Sequence, residues 1–177
     1  MIKHPLDFIE VKNRQNIFFI FLILTAAIFL VFQFIDKPLQ TSAAPSGIVS
    51  FELAGSVTSV NAMLESWNSS ALLYNAFGLG FDFLFMPIYA VTISMAVLLS
   101  SKRRNAAWEK AGNIIGWAAM AALLFDAVEN LALFSMLVGR VSGPYPQVAA
   151  ICAMVKFGLI ILAVFFGLIG LFFPQKK

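Results

Sequence analysis

Cysteine and histidine are almost missing from this chain, and charge is scarce. Cysteine occurs once, as Cys152 inside an apolar run, so neither an intrachain disulfide nor a Cys-x-x-Cys redox pair can form. That excludes the four-helix thiol oxidoreductases that pass electrons to quinones. Histidine also occurs once, as His4 in the N-terminal tail outside every apolar segment. Haem, zinc and di-iron sites of the usual histidine-containing kinds therefore lack a ligand set, and no cofactor is expected. Only 12% of the 177 residues are charged, about half of what a soluble domain carries. The net charge of +3 comes from short basic clusters with no stripe along one face, so no nucleic-acid partner is expected.

What is abundant is hydrocarbon: 60% of the chain is hydrophobic and 19 residues are phenylalanine. Four apolar stretches stand out, Ile17 to Ile35, Ala76 to Leu99, Ala111 to Val138 and Val148 to Phe173. Each reaches the ~20 residues that cross ~30 Å of hydrocarbon as a helix, a form that satisfies its own backbone hydrogen bonds there. The expected fold is all-α: a polytopic membrane protein forming a four-transmembrane-helix bundle within a single domain, with an amphipathic helix on the outer face. The first stretch has too long an apolar core and too extended a leader for a cleaved signal peptide and is read as a retained anchor. Lys3, Lys12 and Arg14 precede it, Lys102, Arg103, Arg104 and Lys110 separate the second and third stretches, and Lys176 and Lys177 end the chain. The opposite side carries only Lys37 and Arg140. The positive-inside rule then places both termini in the cytoplasm of a cell whose inner membrane the chain spans. Trp67, Trp108 and Tyr145 lie near predicted helix ends, where interfacial anchoring and simple packing are both open.

The longest non-spanning piece runs over residues 36–75. It opens with the turn-rich "DKPLQTSAAPSG", continues with the short ambiguous "IVSFELAGS", and reaches "SVTSVNAMLESW". There Val57, Val60, Met63, Leu64 and Trp67 recur at helical spacing, with Ser56 or Thr58 as caps. This predicts a short amphipathic helix lying on the membrane or over the bundle mouth. No internal repeat argues for an inverted-repeat transporter.

Polar residues interrupt the hydrocarbon in a pattern. In "LLFDAVENLALF", Asp126, Glu129 and Asn130 share an arc of the third helix with Gly112, Ala119, Ala122 and Leu133. Small residues there let a neighbouring helix approach, and Gly112 with Gly116 makes a weak GxxxG. On the second helix Asp82, Met86, Tyr89 and Ile93 fall on one stripe, and Pro87 removes the donor from the carbonyl of Phe83. The fourth helix adds Lys156, aligned with Ala149, Cys152, Ile160, Ala163 and Gly167. Counted at ~1.5 Å per residue, Asp82 lies ~9 Å and Glu129 and Lys156 ~14 Å from the outer helix ends, so that all could meet in the outer half of the bundle. A charge at the bilayer centre costs at least ~2.5–3.5 kcal/mol, which makes pairing a practical requirement. Three carboxyl groups against one ammonium cannot all stay ionised in a poor dielectric, so at least one is expected to be protonated at neutral pH.

"FDFLFMPIY" and "FDAVEN", behind an outer loop with "FELAGS" and "AMLESW", resemble a group of small uncharacterised bacterial integral membrane proteins with four helices; the resemblance covers most of the chain and implies architecture without an activity. Asp82 followed by Pro87 and Tyr89, after a long first loop, also resembles the layout of the emopamil-binding, sigma-2-receptor-like membrane proteins. That resemblance implies binding of sterol-like cationic amphiphiles in an acidic pocket. The histidines of that family have no counterpart here, and the likeness does not extend through helices three and four.

Two readings of the polar set stand side by side. It is glue between helices, at ~0.6 kcal/mol per hydrogen bond, or it is a site formed by Asp82, Tyr89, Asp126, Glu129, Asn130 and Lys156. As a site it suits a non-enzymatic binding module for a lipid-like or amphiphilic ligand or a partner helix. The alternatives are a small proton- or cation-coupled transporter or channel subunit, for which a homo-oligomer or partner membrane protein would be needed, or an intramembrane lipid-modifying enzyme. No nucleophile, metal set or phosphate loop supports the last.

Overall fold

The structure is a computed structural model that describes residues 2–102 and 105–172. Arg103, Arg104, Phe173, Lys176 and Lys177, used above for orientation and a helix end, lie outside the described residues. Among those described there are helices and no strands. The elements are α1 (Val11–Asp36), a 3-10 turn (Lys37–Leu39), α2 (Ile48–Glu52), α3 (Val57–Ser66), α4 (Ser69–Ser101), α5 (Ala106–Leu137) and α6 (Tyr145–Phe172). The chain is an all-α helical bundle, and α1, α4, α5 and α6 are long and apolar enough to cross a membrane. In α1 only 6% of the most apolar stretch is buried, against 50% in α4. Phe19, Ile23, Phe29, Leu30 and Phe34 of α1 face outward, an exposure compatible with acyl chains around them.

The helices start where the sequence supplies caps and extend past the apolar runs. Asn68 Oδ1 accepts from Ala71 N at 2.9 Å and Asn105 Oδ1 from Trp108 N at 3.0 Å, each satisfying an orphan donor of a first turn. α4 therefore begins seven residues before the apolar stretch that predicted it, which brings Asn75 into the helix. α5 ends in a Schellman pair, Gly139 N to Met136 O and Arg140 N to Ser135 O.

The chain divides into two compact units, each assembled from separate segments. The first lies within Met1–Ala26, Pro87–Leu124 and Lys156–Lys177, the second within Ala27–Met86 and Phe125–Val155.

In the first unit, Val97, Ala119, Ala163 and Phe166 form one core and Leu6, Met95 and Leu98 another. Trp108, half-buried, is stacked on Phe166 at 4.0 Å. The helices of this unit exchange hydroxyl-to-carbonyl bonds, Ser94 Oγ to Gly116 O at 3.2 Å and Ser100 Oγ to Phe166 O at 3.1 Å. The two glycines of the GxxxG motif serve different neighbours: a methyl at Gly112 would meet Ser101 and Phe166, and one at Gly116 would meet His4. The N-terminal segment is thus part of the fold and no loose tail. His4 is 4% exposed, Asn113 Nδ2 donates to Ile2 O and Trp117 Nε1 to Lys3 O. Arg14 holds Asp7 and the carbonyl of Ile9, and Lys102 pairs with Glu109 and lies 3.9 Å from Asp7.

In the second unit the loop of residues 36–75 folds into a helical cap. Ser56 is the N-cap of α3, accepting from Ser59 N at 3.1 Å. Val60 and Met63 of α3, Phe51 of α2, Trp67 and Leu39 share one apolar core with Ala71 and Leu79 of α4, Ala132, Leu133 and Met136 of α5, and Ala149 of α6. α3 therefore turns its apolar stripe onto the ends of the long helices. Trp67, 5% exposed, donates from Nε1 to Leu39 O at 2.7 Å and meets Phe51 edge-on, so this tryptophan packs inside. Asp36, the last residue of α1, clasps the cap: Oδ1 accepts from Ile48 N at 2.6 Å and Oδ2 from Gln40 Nε2 at 3.2 Å. Gly47, at φ 56°, leaves room for that carboxylate, since a Cβ there would sit 2.2 Å from Oδ1.

Candidate functional site

Hydrophobic residues on α4 and α5 set the direction of their polar ones. Leu79 and Met86 are buried, and Asp82 lies between them on the stripe Asn75, Leu79, Asp82, Met86. On α5, Ala122, Leu133 and Met136 are buried, and the face they define carries Asp126, Glu129 and Asn130. The three are 2%, 0% and 2% exposed. Reading the arc from the spacing of small residues was therefore sufficient to find an interior face.

Within the second unit the structure brings Asp82 and Asn130 together: Asn130 Nδ2 donates to Asp82 Oδ2 at 2.7 Å. Asp82 itself is half-buried. Glu129 has no exposure at all, and among the described residues no three His, Cys, Asp or Glu side chains converge as a metal site. The acidic groups are spread along their stripes.

Tyr89 and Lys156, the other two residues expected in the site, belong to the first unit. Both are buried, and the Lys156 ammonium lies 4.7 Å from the centroid of the Phe157 ring, in cation–π range.

Two residues of the second unit escaped the sequence reading. Glu52, on α2 of the cap, is 9% exposed, and Asn75, on the first turns of α4, is 1% exposed. Asn75 Oδ1 and Nδ2 have no hydrogen-bond partner among the described residues. Neither residue could be found from hydropathy, because Glu52 sits in a short ambiguous segment and Asn75 in the polar-looking "NSSALLYN" ahead of the apolar run. The available signal was the Asn68 cap, which pulls the start of α4 back far enough to place Asn75 on the stripe of Leu79 and Asp82.

Chemically, the face offers carboxyl groups that accept hydrogen bonds when ionised and donate when protonated, beside two amides that do both. Such a set suits a polar head inserted among apolar walls. Comparisons with protein families, with curated proteins and with solved structures found no match to this chain.

Proposed function

We propose that this chain is a non-enzymatic integral membrane module that holds a lipid-like or amphiphilic molecule at the buried carboxyl and amide face of its second unit. The cation distribution supports an inner-membrane location with both termini in the cytoplasm, since Lys3, Lys12, Arg14, Lys102 and Lys110 fall on one side and Lys37 and Arg140 on the other. One observation carries the binding reading: Asp126, Glu129 and Asn130 are almost wholly buried within the otherwise apolar stretch of α5 from Ile114 to Phe134, beside the Asn130–Asp82 bond. Glue between helices needs one amide or hydroxyl, whereas several ionisable groups each add a desolvation cost that a structural role does not repay.

The test is lipid analysis by mass spectrometry of protein purified in mild detergent. Wild type is expected to retain a defined lipid near one per chain, and Glu129→Gln or Asp126→Asn to lower it at least tenfold. Wild type carrying no more lipid than an unrelated four-helix protein rules the proposal out. A proteoliposome ion flux that Glu129→Gln abolishes would instead favour transport.

A further inference from the structure

Asn75 is the polar side chain hardest to explain as part of a packed core. It is 1% exposed, and both ends of its amide are unsatisfied among the described residues. One turn to either side on the same face, Ala71 and Leu79 are buried in the apolar core under the cap. A buried amide without partners is costly, and native proteins keep very few. Leucine has the same branched outline with methyl groups in place of the amide atoms and would remove that cost, so a merely structural position would gain from it.

We infer that Asn75 reads the head group of the ligand, and that this ligand is an uncharged lipid whose head both donates and accepts a hydrogen bond, as a hydroxyl does. The inference rests on the binding function proposed above. The chemistry follows from what an amide lacks here: Oδ1 needs a donor and Nδ2 needs an acceptor, and a hydroxyl supplies both from one atom. Charge narrows the class further. Asp82 lies seven residues on along the same stripe, about 10 Å away by helix geometry, and Glu52, Asp126 and Glu129 are buried in the same unit. These acidic groups disfavour a phosphate or carboxylate head. A neutral head with an apolar body fits both the amide and the apolar core around it.

The experiment uses the full chain in dioleoylphosphatidylcholine nanodiscs and two probes, dioleoylglycerol and its 3-O-methyl ether. The ether accepts a hydrogen bond but cannot donate one. Wild type is expected to bind the free hydroxyl about tenfold more tightly, the ratio that ~1.4 kcal/mol provides. In Asn75→Leu the ratio should fall to about one while the unfolding temperature holds or rises. In Glu129→Gln both probes should weaken. Equal binding of the two probes by wild type overturns the inference however the variant folds, and leaves the binding function standing. So does an Asn75→Leu protein that keeps the preference. Wild type that binds neither probe also overturns the inference, whereas the binding function falls only if the purified protein carries no defined lipid.

Discussion

Acid should release the N-terminal segment, and the size of the effect follows from His4. The ring is 4% exposed and its tip is pressed against Gly116, where a Cβ would lie 2.1 Å from Nε2. Burial holds the imidazole well below its ordinary range, from 6.5 down to about 4; Asp7 opposes this, and Arg14 and Lys102 add to it. Protonation would also place a hydrogen on Nδ1, which accepts from Leu6 N at 3.2 Å. The docked segment therefore favours the neutral ring, and the undocked segment binds the extra proton. Docking is at full strength above about pH 6.5 and weakens as the pH falls towards 4, since stability rises with pH wherever the open state binds more protons. Each tenfold change in proton affinity is about 1.4 kcal/mol, so the full loss is about 3 kcal/mol, and about 2 kcal/mol is gone by pH 5. Because His4 is the sole histidine, one imidazole resonance in an NMR titration reports it without assignment. The expected midpoint lies well under 6 in wild type and near 6.5 in Gly116→Ala, whose methyl expels the ring. The indole Nε1 proton of Trp117, bound to Lys3 O, should shift with the same transition. A wild-type midpoint near 6.5 with Leu6 N still protected would refute the argument.

Other consequences are open to measurement. Trp67→Phe removes the donor to Leu39 O and leaves a buried carbonyl without it, which should weaken the cap by about 1–3 kcal/mol and speed hydrogen exchange over residues 57–66; unchanged protection would contradict the clasped cap. Gly47→Ala combines backbone strain at φ 56° with a clash on Asp36, for about 1–3 kcal/mol from strain alone. Its penalty should shrink in an Asp36→Ala background, as thermal midpoints of the four-member cycle would show. A cycle of Asp82→Ala and Asn130→Ala should give a coupling of about 1 kcal/mol, and strict additivity would mean that the 2.7 Å contact contributes nothing.

Hydropathy was enough to find the four long helices, because spanning length and backbone satisfaction leave few alternatives. The interior face of α5 was equally legible, since Ala122 and Leu133 mark it at helical spacing around Asp126 and Glu129. The stripe of α3 was readable from Val60 and Met63, and Ser56 from its position. Packing against a distant segment left no such trace. His4 is buried only because Gly116, over a hundred residues later, lacks a side chain. Glu52 is interior only because its helix is folded into the cap. Trp67 and Trp108 suited an interface by position; a carbonyl at Leu39 holds Trp67 inside, and Trp108 stacks, half-buried, on Phe166.

The clasp at Asp36 also sets how the chain can vary. A surface connection ordinarily tolerates insertions, but this one starts from a carboxylate on α1, and a single residue added within the last turn of that helix would swing the Asp36 carboxylate by ~100° around the axis of α1. The amide of Ile48 would then lose its acceptor. The angular phase of α1 is thereby tied to the cap, and changes in loop length should be tolerated between Gly139 and Gly143, where an added Cβ at either glycine would meet nothing within 4 Å, more readily than before Gly47.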